Sequence, residues 1–188
     1  MPARPEPPNA HTDLRAMTCG ILLTRVTIWL ALIAYALGAV RQLLARGRAE
    51  QLTQARWFWT VGCGFYVAHV VGAFGAYHSW SHAAAYEATA MQTHETVGLR
   101  WGGGIYFNYI FGLLWLGDVG WWWLAPASHR QRPPWVNALW CGFFLFMVIN
   151  GAIVFGRGPV RWLGILICLV LLGAFLRRRR SEGVPANR

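Results

Sequence analysis

The chain has 188 residues, 56% of them apolar, and a formal net charge of +10. The apolar residues fall in long blocks, the pattern of a bilayer protein rather than of a water-soluble core. All 17 basic residues are Arg and stand mostly between or just outside those blocks, where they meet lipid head groups, so the charge makes no case for a nucleic-acid partner.

Residues 1–16 carry Pro2, Pro5, Pro7 and Pro8. They cannot build a core and are expected to form a mobile tail. A transmembrane domain follows over 17–176, then a basic cytoplasmic tail over 177–188. Within the domain, five blocks reach or approach the roughly 20 apolar residues that cross a bilayer: 19–40, 57–77, 103–124, 135–155 and 160–176. The last two are joined by Gly156-Arg157-Gly158-Pro159, a link that suits a helical hairpin. The expectation is an all-α polytopic bundle of five transmembrane helices.

A cleavable leader competes for the first block, since Ala34-Tyr35-Ala36 resembles a cleavage site. The block is long for a leader and is followed by basic residues, which resist translocation. Cys19, Cys63, Cys141 and Cys168 show no metal-type spacing and read as small hydrophobes.

Orientation follows from the Arg distribution. Arg41, Arg46, Arg48 and Arg56 fill the first loop, Arg130 and Arg132 the third, and Arg177–Arg180 with Arg188 the C-terminal tail. The opposing segments carry fewer. The heavier set belongs inside, which puts the N-terminus outside and the C-terminus in the cytoplasm. Trp57, Trp59, Trp121–Trp123 and Trp135 would then form an inner aromatic belt, and Trp80 and Trp101 an outer one.

Ionisable and amide groups inside spans are costly and therefore informative. At about 1.5 Å rise per residue, Arg25, His69, Asn108 and Asn150 fall in one slab of the outer half, from four different spans. Either they satisfy one another as buried hydrogen-bonding groups, with Arg25 reaching out to head groups, or they floor a site open to the outside and bind a cofactor. Asp118, near the inner end of the third span, is expected to form a structural ion pair with Arg130, Arg132 or Arg56. His11 and His129 are expected to be solvated.

The second loop holds the remaining histidines. Residues 79–97 lack Pro and Gly and predict a helix at the outer interface. On a helix, His78 and His82 are i,i+4 neighbours on one face, the placement in which two imidazoles can chelate a transition metal. Glu87 and His94 share the opposite face, so one of them, or His69, could join only if the helix breaks; Gly72 and Gly75 are where it could bend. The metal-ligating candidates are thus His78, His82, Glu87 and His94, for a transition metal or haem iron. The other reading is that these residues bond each other and head groups. Because only the second span contains His, the paired-span pattern of a bis-histidine haem is absent. Gly102, Gly103 and Gly104 let a backbone approach a neighbouring helix or form an entry hinge.

The string His78-Ser79-Trp80-Ser81-His82-Ala83-Ala84-Ala85-Tyr86-Glu87, with Trp101-Gly102-Gly103-Gly104 and Asn108-Tyr109, resembles an uncharacterised family of bacterial multi-pass membrane proteins. The resemblance covers roughly residues 56–123. It implies packed transmembrane helices and no assigned activity, so no catalytic residue is carried over. Three functions stay open from sequence: a metal- or cofactor-binding, redox-linked component; a scaffold subunit that meets other membrane subunits, or a second copy, through Trp- and Gly-rich surfaces; and a small-solute transporter, which lacks visible repeats.

Overall fold

The computed structural model describes residues 10–45 and 47–182. The expected tails lie outside these residues over 1–9 and 183–188, as does Arg46. The elements are α1 (Ala10–Leu44), α2 (Ala49–His78), α3 (His82–Val97), α4 (Gly104–Leu124), a short α5 (Pro126–Arg130), α6 (Pro134–Val148) continued by a π-helical segment (Ile149–Val154), and α7 (Pro159–Glu182). There is no strand among the described residues. α1 begins seven residues before the expected domain boundary at 17, and α7 carries the Arg177–Arg180 run as helix.

α1 and α2 form an antiparallel hairpin built on small side chains. Gly20, Thr24, Thr27, Ala31, Ala34 and Gly38 recur at three- and four-residue intervals, and the four between the glycines are buried. A Cβ on Gly20 would lie 3.0 Å from Ala76, one on Gly38 would lie 3.3 Å from the Ala55 carbonyl, and one on Gly62 would lie 3.3 Å from Ala34. Such rows let helix backbones approach closely where lipid supplies no hydrophobic drive. The threonine hydroxyls add no polar cost, because Thr24 and Thr27 donate to the Gly20 and Leu23 carbonyls of their own helix. The opposite face of α1 exposes Leu22, Leu23, Val26, Trp29, Leu30 and Ile33, a surface suited to acyl chains rather than water.

The core of the bundle is aromatic. Phe144 of α6 is surrounded by Phe111 at 4.7 Å, Trp59 at 4.9 Å, Trp115 at 5.4 Å and Tyr35 at 6.0 Å between ring centroids. Four helices therefore meet on one ring. α7 closes against the π segment, where a Cβ on Gly164 would come within 2.8 Å of the Ala152 methyl.

Four helical spans are long and apolar enough to cross a membrane: Thr18–Leu44, Ala49–His78, Pro134–Val154 and Pro159–Ser181. The chain is an all-α integral membrane protein. α4 has the length of a span, about 31 Å at 1.5 Å per residue, but Asn108, Asp118 and its Trp and Tyr residues lower its hydropathy. Its inner face buries Phe111, Trp115, Asp118 and Trp122.

The antiparallel order gathers Arg41, Arg48, Arg56, Arg130, Arg132 and the Arg177–Arg180 run at one end of the bundle, and sets α3 at the other. At the Arg-rich end, Asp118 is 1% exposed and accepts from Arg132 Nη1 at 2.8 Å. This is one of the three expected pairings. Arg56 instead lies 4.0 Å above the Trp123 ring, a cation–π contact.

His129, expected to be solvated, is buried at 3% exposure. Its Nε2 is 3.2 Å from Asp118 Oδ1, and because a carboxylate only accepts, Nε2 carries the proton. Its ring stacks on Trp122 at 4.5 Å and 10°. The cause is α5, which opens with Pro126 at its N-terminus and folds the chain back under α4. Nothing is described of the His11 side chain.

Candidate functional site

The α3 end of the bundle holds a cavity of about 570 Å³, within the range of small-molecule sites. α1, α2, α4, the end of α6, the π segment and the start of α7 wall it, and α3 roofs it. Ala85, Thr89, Gln92 and Thr93 of the roof face into it, at the spacing of one helical face. The Thr89 and Thr93 hydroxyls donate to the Ala85 and Thr89 carbonyls of α3 itself.

The roof exists because the chain turns sharply after α2. Ser79 and Trp80 take left-handed φ of 47° and 61°. The Trp80 N–H donates to the Phe74 carbonyl at 3.0 Å, and the Ser79 N–H turns to the same carbonyl, closing the helix C-terminus. The Trp80 indole covers Gly75, leaving 3.3 Å for a Cβ there. Ser81 then caps α3 by accepting from the Ala84 N–H at 3.2 Å.

This turn ends α2 at His78 and opens α3 at His82, so the two imidazoles do not share one helical face as the i,i+4 placement expects. His78 closes α2 and lines the cavity. His82 opens α3, and its Nδ1 lies 2.9 Å from the Tyr109 hydroxyl.

The other two expected ligands are engaged elsewhere. Glu87 accepts from Arg100, and His94 Nδ1 is 3.2 Å from the Gly98 carbonyl at the end of α3. Among the described residues, no group of three or more His, Cys, Asp or Glu is placed to hold a metal ion.

Of the four residues expected in one slab, three line the cavity: His69, Asn108 and Asn150. Arg25 does not. It sits on the exposed face of α1 beside Leu22 and Val26 and pairs with no described residue. A guanidinium so placed reaches along its apolar stem to head groups.

His69 Nδ1 is 2.9 Å from the Thr24 carbonyl on α1. Asn108 receives the Tyr66 hydroxyl on its backbone carbonyl at 2.9 Å, while its side-chain amide has no partner among the described residues. Asn150 Nδ2 donates to the Phe146 carbonyl at 2.9 Å. The Phe155 N–H reaches back five residues to the Asn150 carbonyl at 2.9 Å, which is the π-helical bond. Such widened turns often mark functional positions, and this one carries Asn150, Gly151 and Ala152 of the cavity wall.

The remaining wall is apolar and largely aromatic, including Phe74, Phe107, Phe111, Trp115 and Phe146. Among the lining residues there is no Asp, Glu, Arg or Lys. The polar groups that line the cavity are uncharged amides and hydroxyls, with two imidazoles.

The glycine run serves close packing. A Cβ on Gly102 would fall 2.5 Å from the Tyr86 carbonyl oxygen, and one on Gly104 would lie 3.2 Å from the Thr89 methyl. The loop into α4 is therefore pressed against the roof. Two exposed ion pairs strap the roof's rim, Arg100 to Glu87 and Arg157 Nη2 to Glu95 at 2.9 Å.

Sequence reasoning missed Tyr66 and Tyr109 as partners of the polar residues, and it gave no sign of the π segment. Hydroxyl-bearing residues one or two helical turns from His69 and beside Asn108 were the available signal. Comparison with known proteins finds no family model, no curated protein and no solved structure that matches this chain.

Proposed function

We propose that this membrane protein binds one neutral lipophilic molecule in the cavity beneath α3. The observation that carries the reading is a cavity of about 570 Å³ between membrane-spanning helices, with an aromatic wall, several uncharged polar groups and no charged lining residue. An ion or a charged head group would find no counter-charge there, and burying a charge unpaired is costly. A hydrocarbon body with a small hydrogen-bonding group matches both parts of the wall. The described residues gather no metal-ligand set, so a metal or haem centre has no support in the geometry.

The test is native mass spectrometry of protein released gently from its own membranes. The expected spectrum has a one-to-one adduct with an uncharged lipophile. Protein that emerges wholly free of such an adduct, or with a ladder of phospholipids and no preferred species, contradicts the reading.

We further propose that α4 is a fifth span and that the Arg-rich end faces the cytoplasm, which puts the cavity in the outer leaflet. The Arg distribution supports this orientation, and the packing of α4 against α2, α3 and α6 tolerates its polar residues inside the bundle. A reporter that fluoresces only in the cytoplasm, fused after Arg188, is expected to be active. A fusion active only on the outer side reverses the frame.

A further inference from the structure

We infer that the cavity selects a lipophile headed by a hydroxyl group, taken by His69 and Asn108. The inference rests on the binding function proposed above and narrows it to one chemistry.

The Thr24 carbonyl can only accept, so the hydrogen bond at 2.9 Å places the imidazole proton on His69 Nδ1. In the neutral ring Nε2 is then a pure acceptor, and it has no partner among the described residues. A bond at one ring nitrogen thus sets what the other can do for a ligand. The residue stays in the cavity wall, and its orientation is fixed from the α1 side by a helix backbone.

Tyr66 connects this acceptor to Asn108. Its ring centroid is 6.5 Å from that of His69, and its hydroxyl donates to the Asn108 carbonyl at 2.9 Å. Tyr66 is thereby spent internally. The Asn108 side chain, with an N–H₂ donor and a carbonyl acceptor, is left to the cavity. A hydroxyl both donates and accepts, and it can satisfy His69 Nε2 and Asn108 together. An ether or a ketone offers no proton to Nε2, and an alkane offers neither bond. The hydrocarbon body would lie against Phe74, Phe111 and Trp115, farther along the same cavity.

The head can belong to a phenol or to an aliphatic alcohol, and four probes separate these sources: 4-dodecylphenol, 1-dodecanol, 4-dodecylanisole and dodecylbenzene. Each is titrated against the full chain in phosphatidylcholine nanodiscs, with empty nanodiscs as the partition control. A hydrogen bond in such a site is worth about 1.5 kcal/mol, so the phenol is expected to bind about tenfold more tightly than the anisole. In His69→Leu that ratio is expected to fall to about twofold or less, because the acceptor is gone.

Binding of both hydroxylated probes assigns the site to hydroxyl heads in general. Binding of the phenol alone assigns it to phenols, and binding of the alcohol alone to aliphatic alcohols. Anisole binding as tightly as phenol in the unmodified protein overturns the inference while the cavity reading stands. The absence of saturable binding by any probe overturns both. The anisole comparison needs no variant, so the outcome does not hang on whether His69→Leu folds.

Discussion

Replacing Asp118 by Ala is expected to destabilise the protein by about 3–5 kcal/mol, the usual consequence of removing one partner of a buried ion pair. The carboxylate is 1% exposed and bonds both Arg132 and His129, whose side chains are 7% and 2% exposed. Without it, a guanidinium and an imidazole N–H remain in a closed pocket beneath Trp122 with no acceptor. The double variant Asp118→Leu with Arg132→Met is expected to recover most of the loss, since it removes the orphaned charge along with its partner. Equilibrium unfolding in mixed micelles measures both. An Asp118→Ala protein within about 1 kcal/mol of the parent would mean that water or head groups reach the pair.

Phe144→Ala is the other large effect. The ring is 1% exposed and touches aromatic rings from α1, α2 and α4, with Trp59 stacked on it at 30° and Trp115 at its edge at 77°. Removing it leaves a void that rigid rings on several sides cannot fill, and truncating a buried Phe costs about 3–5 kcal/mol. Phe144→Leu should lose less than half as much, because much of the volume stays. The same unfolding measurement reads the series. If Ala and Leu cost alike, the ring contacts rather than the filled volume are what count.

Much of this architecture could be read from residues alone. The apolar blocks predicted the four helices that meet the length and hydropathy of a membrane span, because desolvation of the backbone leaves helix as the only local solution in lipid. The depth of His69, Asn108 and Asn150, counted at one helical rise per residue, brought together three residues that do line one cavity. Depth alone puts Arg25 in the same slab, but depth does not give the helix face. Its neighbours Thr24 and Thr27 belong to the small-residue row that packs on α2, and that row, legible in the sequence, turns Arg25 outward.

The local misreadings arose where short elements override propensity. Alanine-rich text over 79–97 favours helix from its first residue, yet Ser81 is a better cap than an interior residue, and the chain spends Ser79 and Trp80 on a left-handed turn. That single break puts His78 and His82 on different helices rather than on one helical face. Likewise, the five-residue α5 has no periodic signal, and it buries His129 against Trp122 through tertiary contacts that no local pattern encodes. The π segment closes with a five-residue backbone bond from Phe155 to Asn150, and composition does not encode that choice.

The most direct test of the cavity as a binding site is to fill it. Ala73 faces the space from α2, among Val70, Phe74 and His69, and Phe at this position would occupy part of the volume with an apolar ring. Purified, delipidated protein in nanodiscs is titrated with radiolabelled 4-dodecylphenol and compared with Ala73→Phe at matched folded content. The expected result is saturable binding at one molecule per chain in the parent and at least about a tenfold loss in the variant, on the scale of a displaced apolar contact surface. Equal binding by both proteins at one per chain would place the ligand elsewhere on the bundle, and uptake no greater than that of empty nanodiscs would mean that the cavity binds nothing of this kind.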